Sequence, residues 1–343
     1  MALRVLHLVG SAVSPFYADL SRLYAQDCLD ATEDRSRYEV HLAYVSPDRR
    51  WRFPTGLDPA ALQDARPMEL PAALEHLSAL AVDVMVPQMF CLPGMTHYRA
   101  LFDVLGIPYV GNAADVMALT ANKARAKAVV AAAGVRVPRG ELLRAGHEAS
   151  IDPPVVVKPV DADNSLGVAF VREHADYDAA LAAAFSHADE VLVEEFVAPG
   201  REVRCGLFVR SGELIALPLE EYTVDPASRP IRGHDDKLTR DASGALSLVA
   251  KDSPEAWIVD HDDPVNERVW ELARTCHTAL GCRHYSLFDV RIDPDGRPWF
   301  LEAGLYCSFA RKSVISVMAA AAGIAPDELF ALALAECTQT RKR

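Results

Sequence analysis

Nowhere in the 343 residues do two cysteines form a Cys-x-x-Cys pair, and the seven present are widely spaced and odd in number. That pattern excludes a disulfide framework and a zinc site of ordinary ligand spacing, and leads us to expect reduced thiols in the cytoplasm. No apolar run approaches the ~20 residues of a membrane span. The opening MALRVLHLVGSAV turns polar too early for a signal peptide. Positive charge is also short: 35 Lys and Arg stand against 48 Asp and Glu, a net charge of −13, with a pI near 5.3. We therefore expect neither nucleic acid nor a membrane as partner. No G-x-G-x-x-G follows the first predicted strand, so a dinucleotide fold has no support. Internal repeats and low-complexity tracts are missing as well.

What remains is ordinary globular composition, half hydrophobic and a quarter charged, long enough for two or three domains. Up to Val110, predicted strands (Arg4–Val9, Tyr38–Val45, Val82–Pro87, Ile107–Val110) alternate with helices, which implies an α/β domain with a mainly parallel sheet. An Ala-rich helix is expected over Asp115–Ala133, closed by Gly134. Short strands around a helix at Asp176–Phe185 then suggest a small α+β domain to about residue 208. Thr223–Ser253 is long, polar and aperiodic, and loops of that length are usually functional or mobile.

Three stretches could carry chemistry. In HYSLFDVRIDPDGRPWFLEAGLYCSFARKS, residues 284–313, two strands flank the turn chemistry of Asp293-Pro294-Asp295-Gly296. A two- or four-residue loop would place Ile292 opposite Arg297 and Asp289 opposite Phe300. Asp289 and Glu302 would then be diagonal neighbours on one face, roughly 7–8 Å apart, a spacing suited to a hard cation such as Mg²⁺. A three-residue loop would separate their faces, and a surface hairpin with two solvated acids is the plain alternative. In PPVVVKPVDADNSLGV, a β-branched run delivers Lys158 at a strand end beside a small polar loop, one way to cradle phosphates, although not the P-loop pattern. In VLVEEFVAPGREVRCGLF, Glu194 and Glu202 flank Phe196 and Val197, an apolar strip that could take a flat base with an acid for a ribose. An edge-strand lysine and a plain hairpin are the alternatives there.

Together, in this order and spacing, these stretches resemble the ATP-grasp superfamily, and within it the D-alanine–D-alanine ligase family. LGIPYVGNAADVMALTANKARAKAVVAAAGVRVP, residues 105–138, resembles that family's junction between its first two domains, with Asn122-Lys123 where the family usually has Asp-Lys. The resemblance implies an ATP-grasp fold: an N-terminal parallel-sheet α/β domain (1–118), a small central α+β domain (119–208) and a C-terminal antiparallel-sheet α+β domain (209–343). It implies ATP and Mg²⁺ as cofactors, small amino-acid substrates and a possible homodimer. Lys123 and Lys158 would contact ATP phosphates. Glu194 would accept from the adenine amine, with the backbone at Phe196 and Val197 reading the ring edge, and Glu202 would bind the ribose. Lys237 would close over the γ-phosphate from the long polar segment. Asp289 and Glu302 would hold Mg²⁺. Asn164 and Ser165 match the phosphate loop, and Ser308 and Ser313 the pocket for the second amino acid.

The departures sit mostly where substrates bind. The family's arginine two residues before the metal aspartate is Leu287, and its E-x-N is Glu302-Ala303-Gly304. The first loop, GSAVSPFYADLS, has no glutamate, Gly-Ser-Ser becomes Asp163-Asn164-Ser165, and Leu238 follows the lid lysine. Arg291, on the same strand face as Asp289, is one candidate to supply the charge that Leu287 lacks, with Arg311 and Lys312 as rivals and an exposed arginine as the plain alternative. The leading expectation is a carboxylate–amine ligase working through an acyl phosphate on substrates other than those of the cell-wall enzyme, as in specialised metabolism. The alternatives are an ATP-grasp enzyme with a non-amine or intramolecular nucleophile, and a nucleotide-binding protein without catalysis.

Overall fold

The computed structural model describes residues 2–162, 165–225, 230–231, 238–240, 246–248 and 255–339. The first sheet holds β1 (Leu3–Gly10), β2 (Tyr38–Val45), β3 (Trp51–Arg52) and β4 (Val84–Pro87) in the order β3-β2-β1-β4, with β1 parallel to β2 and β4. Strands β1 and β4 are buried on both faces because both faces are covered there. Leu6, Leu8 and Met85 pack with Ala73 and Leu77 of the helix Leu70–Leu80 and with Phe102. Val5, Val84 and Val86 meet Leu329 and Phe330 of the helix Pro326–Gln339, so the end of the chain covers the sheet formed by its beginning. The strand expected at Ile107–Val110 shrinks to one bridge, Met85 with Tyr109.

The central sheet is antiparallel: β5 (Gly140–Arg144), β6 (Val155–Pro159), β7 (Ala169–Val171) and β8 (Glu190–Glu195), ordered β5-β8-β6-β7. The helix Tyr177–Phe185 packs on it through Tyr177, Ala180 and Ala184. The third sheet contains β9 (Arg201–Arg210), β10 (Glu213–Ala216) and β11 (Glu220–Tyr222). A separate pair, β12 (Leu238–Arg240) and β13 (Leu246–Leu248), follows, then β14 (Ala256–Ile258), β15 (Tyr285–Ile292) and β16 (Pro298–Ala303). The order is β14-β11-β9-β15-β16, antiparallel throughout, with β10 also on β9. The helices Val265–Ala279 and Lys123–Ala132 bury Val269, Ala273, Ala126 and Val130 against it.

The single helix expected over 115–133 is two, Ala114–Ala121 and Lys123–Ala132. Asn122 lies between them in extended conformation, and its side chain accepts from the Arg125 N–H at 3.0 Å, the geometry of an N-cap. This break starts the second helix at Lys123 and sets the lysine's direction.

Three buried histidines hold the packing together. His7 stacks on Phe330, His277 bonds the Ser286 hydroxyl at 2.8 Å, and His284 accepts from the Gly111 N–H at 2.9 Å. Burial lowers each to about 4. The folded chain thus binds fewer protons than the unfolded one between about 4 and 6.5, and stability falls as pH drops through that window. Each group contributes about 1.4 kcal/mol per pH unit there. Urea midpoints at pH 7, 6 and 5 should fall steeply, and His7→Phe should flatten the slope. A midpoint constant from pH 7 to 5 would contradict this account.

Candidate functional site

Strand register builds the site. Glu220 of β11, Arg204 of β9, Asp289 of β15 and Glu302 of β16 lie opposite one another in succession. Directly opposite residues share a face, so these four form one charged row across the sheet. A second row, two residues along, is Tyr222, Glu202, Arg291 and Trp299.

The hairpin differs from the expected pairing. Ile292 lies opposite Pro298 rather than Arg297, and Asp289 opposite Glu302 rather than Phe300. The connection 293–297 alone would set Asp289 against Leu301 and turn Glu302 to the far face. A bulge beside Asp289, with Leu301 as the extra residue, restores the phase. The two acidic residues therefore lie directly opposite each other rather than diagonally.

Both already have cationic neighbours. Arg204 Nε donates to Asp289 Oδ1, and its Nη2 to Oδ2 at 3.2 Å. The Arg204 guanidinium lies 5.5 Å from the Tyr222 ring centre, and the Tyr222 hydroxyl donates to Glu220. Burial alone would lower the Arg204 pKa; Asp289 more than offsets this and raises it well above the ordinary value. Lys123 Nζ stands 3.6 Å from Glu302 Oε2 and donates to the Ala162 carbonyl at 2.5 Å. The Asp289–Glu302 pair fits one hard divalent cation that takes its other oxygens from phosphates and water. Among the described residues no group of three His, Cys, Asp or Glu could hold a metal by itself.

The nucleoside side departs from expectation. Glu194 is only 2 % exposed, and its carboxylate is held between Lys127 and Lys158, with Lys158 Nζ at 2.5 Å from Oε2. It therefore anchors two lysines. Burial alone would raise its carboxyl, but the two ammonium groups bring it below the ordinary value. Burial pushes the Lys127 ammonium down to about 7, with Glu194 opposing that shift. Lys158, expected on phosphate, pairs with Glu194 in this structure. The Phe196 N–H donates to the Pro154 carbonyl, and the Phe196 and Phe170 ring centres are 4.3 Å apart. Arg291 does not extend toward Leu287. It reaches Glu202 Oε2 at 2.5 Å and the Val197 carbonyl at 3.1 Å, since Glu202 is its cross-strand partner.

Ser308 and Ser313 are brought together and buried. The Ser313 hydroxyl donates to the Ser308 carbonyl and lies 2.9 Å from the Ser316 hydroxyl, while Ser308 Oγ accepts from the Ala310 N–H. Ser165 occupies a turn at φ 58°. Asn164 and Lys237 lie outside the described residues. Sequence reasoning missed Lys127 and Arg204, although both carried a signal. Lys127 stands four residues after Lys123, on the same helical face, and Arg204 two after Glu202, on the same strand face.

Residues 136–334 match the family described as D-ala D-ala ligase C-terminus. A D-alanine–D-alanine ligase of Citrifermentans bemidjiense is 31% identical over 235 residues, spanning 67% of this chain and 70% of that protein. One from Brucella anthropi is 32% identical over 241 residues, spanning 68% and 73%. The solved VanG D-Ala:D-Ser ligase of Enterococcus faecalis superposes with a TM-score of 0.77 at 22% identity, over 98% of this chain and 99% of that one. A Bacillus anthracis D-alanine–D-alanine ligase gives 0.75 at 20% identity, over 99% of each.

Proposed function

Because the chain belongs to the D-alanine–D-alanine ligase family of ATP-grasp enzymes, we propose that its cleft activates an amino-acid carboxylate with ATP and joins it to an amine, on substrates other than two D-alanines. The family's general activity, ATP-dependent amide-bond formation, is this chain's activity. A carboxylate oxygen attacks the γ-phosphorus and ADP leaves. The amine then attacks the acyl phosphate carbon, phosphate departs, and the amine's surplus proton passes to solvent. Asp289 and Glu302 would hold Mg²⁺, which when bound offsets charge on the transferring phosphoryl group. Lys123, on Glu302, adds positive charge beside that position. The observation that carries this reading is the pair of acidic residues, Asp289 and Glu302, set directly opposite each other by the bulge.

The altered substrate choice rests on other residues. Leu287 stands where the family arginine is expected, and the Ser308 and Ser313 hydroxyls are engaged within their own loop. Around the loop after β16, the rings of Tyr306 and Phe90 lie 6.1 Å apart, and Tyr24 is 5.2 Å from Phe90. In this reading the three rings form one wall of the substrate pocket, which would favour a substrate with more apolar surface than a methyl group. ADP release should be measured with single amino acids and with pairs, and the products weighed. Release that requires an amino acid, with a product mass equal to the sum less one water, is expected. D-alanine alone should be slower than the best pair. ADP release independent of any amino acid would overturn the ligase reading, and D-alanine as the best substrate would overturn the substrate assignment.

A further inference from the structure

The row Glu220–Arg204–Asp289–Glu302 places a partly buried arginine between acids at the point where a metal–nucleotide would sit. The neighbouring position on the Asp289 strand and face, 287, is a leucine. The fixed cation of this site is therefore supplied by β9 and not by β15. It occupies both oxygens of Asp289. A divalent ion arriving at Asp289 and Glu302 would bring a second positive centre to the carboxylate that Arg204 holds. Like charges there repel unless an anion arrives between them. The terminal phosphate of ATP is such an anion, and a guanidinium fork matches its oxygens bidentately. Tyr222, beneath the guanidinium at 5.5 Å, keeps the side chain on the cleft face during any change of partner.

We propose that Arg204 is a γ-phosphate-binding residue. In the empty cleft it neutralises Asp289, and in the loaded cleft it passes donors to the terminal phosphate while a divalent ion takes Asp289 and Glu302. This rests on the nucleotide reading given above. It gives Arg204 a role distinct from that of Arg291, whose charge is spent on Glu202 and Val197.

The test compares the full chain with Arg204→Met, which keeps the aliphatic stem under Tyr222, and Arg204→Lys. Mn²⁺ binding is followed by electron paramagnetic resonance, and adenylyl-imidodiphosphate and ADP by calorimetry in Mn²⁺. Arg204→Met should bind Mn²⁺ at least as tightly as the wild type, because the competing guanidinium is gone. It should lose about 30-fold in affinity for the triphosphate analogue, the worth of one charge-assisted contact of this kind, and less than about threefold for ADP. Arg204→Lys should recover part of the loss. If the methionine variant does not fold, the lysine variant supplies the same comparison with a smaller loss confined to the analogue. A purely structural arginine predicts the opposite sign for the metal. Weaker Mn²⁺ binding in the variant, or equal losses for the analogue and ADP, overturns the proposal. A wild type that binds neither nucleotide instead removes the nucleotide reading, and this inference with it.

Discussion

Glu302→Gln should lower amino-acid-dependent ADP release about a thousandfold and leave the folded chain as stable as before. A thousandfold corresponds to roughly 4 kcal/mol, the scale expected when the charge clamp on a transferring phosphoryl group loses a metal ligand. The structural cost is of another order. The Glu302 side chain is 34% exposed and its lysine partner lies 3.6 Å away. The Lys123 side chain is 11% exposed, and a single partly exposed contact of that length contributes about 1 kcal/mol. Turnover and urea midpoint should therefore separate: the first collapses and the second stays. Retention of more than a tenth of the activity would remove Glu302 from the metal site, and a large stability loss would recast it as a structural residue.

Glu194→Gln should behave the opposite way and destabilise the fold by roughly 3 kcal/mol, the scale for breaking a buried charge network from one side. The variant leaves two buried ammonium groups, Lys127 and Lys158, without the carboxylate they share. Lys127 limits the damage, since burial already pulls it down to about 7 and it can shed its proton. The destabilisation should consequently be larger at pH 6 than at pH 8. Adding Lys127→Met to the variant should restore part of the loss, because one of the two ammonium groups left without a carboxylate is then gone while Lys158 still lacks its partner. Equal urea midpoints for wild type and Glu194→Gln at pH 6 would show that the carboxylate does not hold this cluster.

These contrasts track what could be seen in the sequence. The layered order was legible because strand and helix periods alternate cleanly up to Val110, and because β-branched runs such as Val155–Val157 admit little else. The shared face of Asp289 and Glu302 was anticipated, but by a different route. The assumed loop length was wrong, and the bulge at Leu301 that corrects the phase leaves no mark in a hydrophobic pattern. The helix break at Asn122 was hidden among Ala, Lys and Arg, all good helix formers, with one N-cap residue as the signal. The edge strands Gly140–Arg144 and Ala256–Ile258 were missed because they are short and only partly buried. Charge partners were the least legible. Arg291 turns to Glu202 and Arg204 to Asp289 because of inter-strand register, which a single strand does not encode.

The central sheet's apolar cluster, from Leu143 to Val193, draws its members from its own strands, its helix and, with Ile151, the loop between β5 and β6, whereas its links to Lys127 and Arg291 are ionic or polar. Swinging that layer away would therefore wet charges rather than oily surface. The heat-capacity change of nucleotide capture should accordingly be small. Salt, more than temperature, would set how readily the cleft reopens.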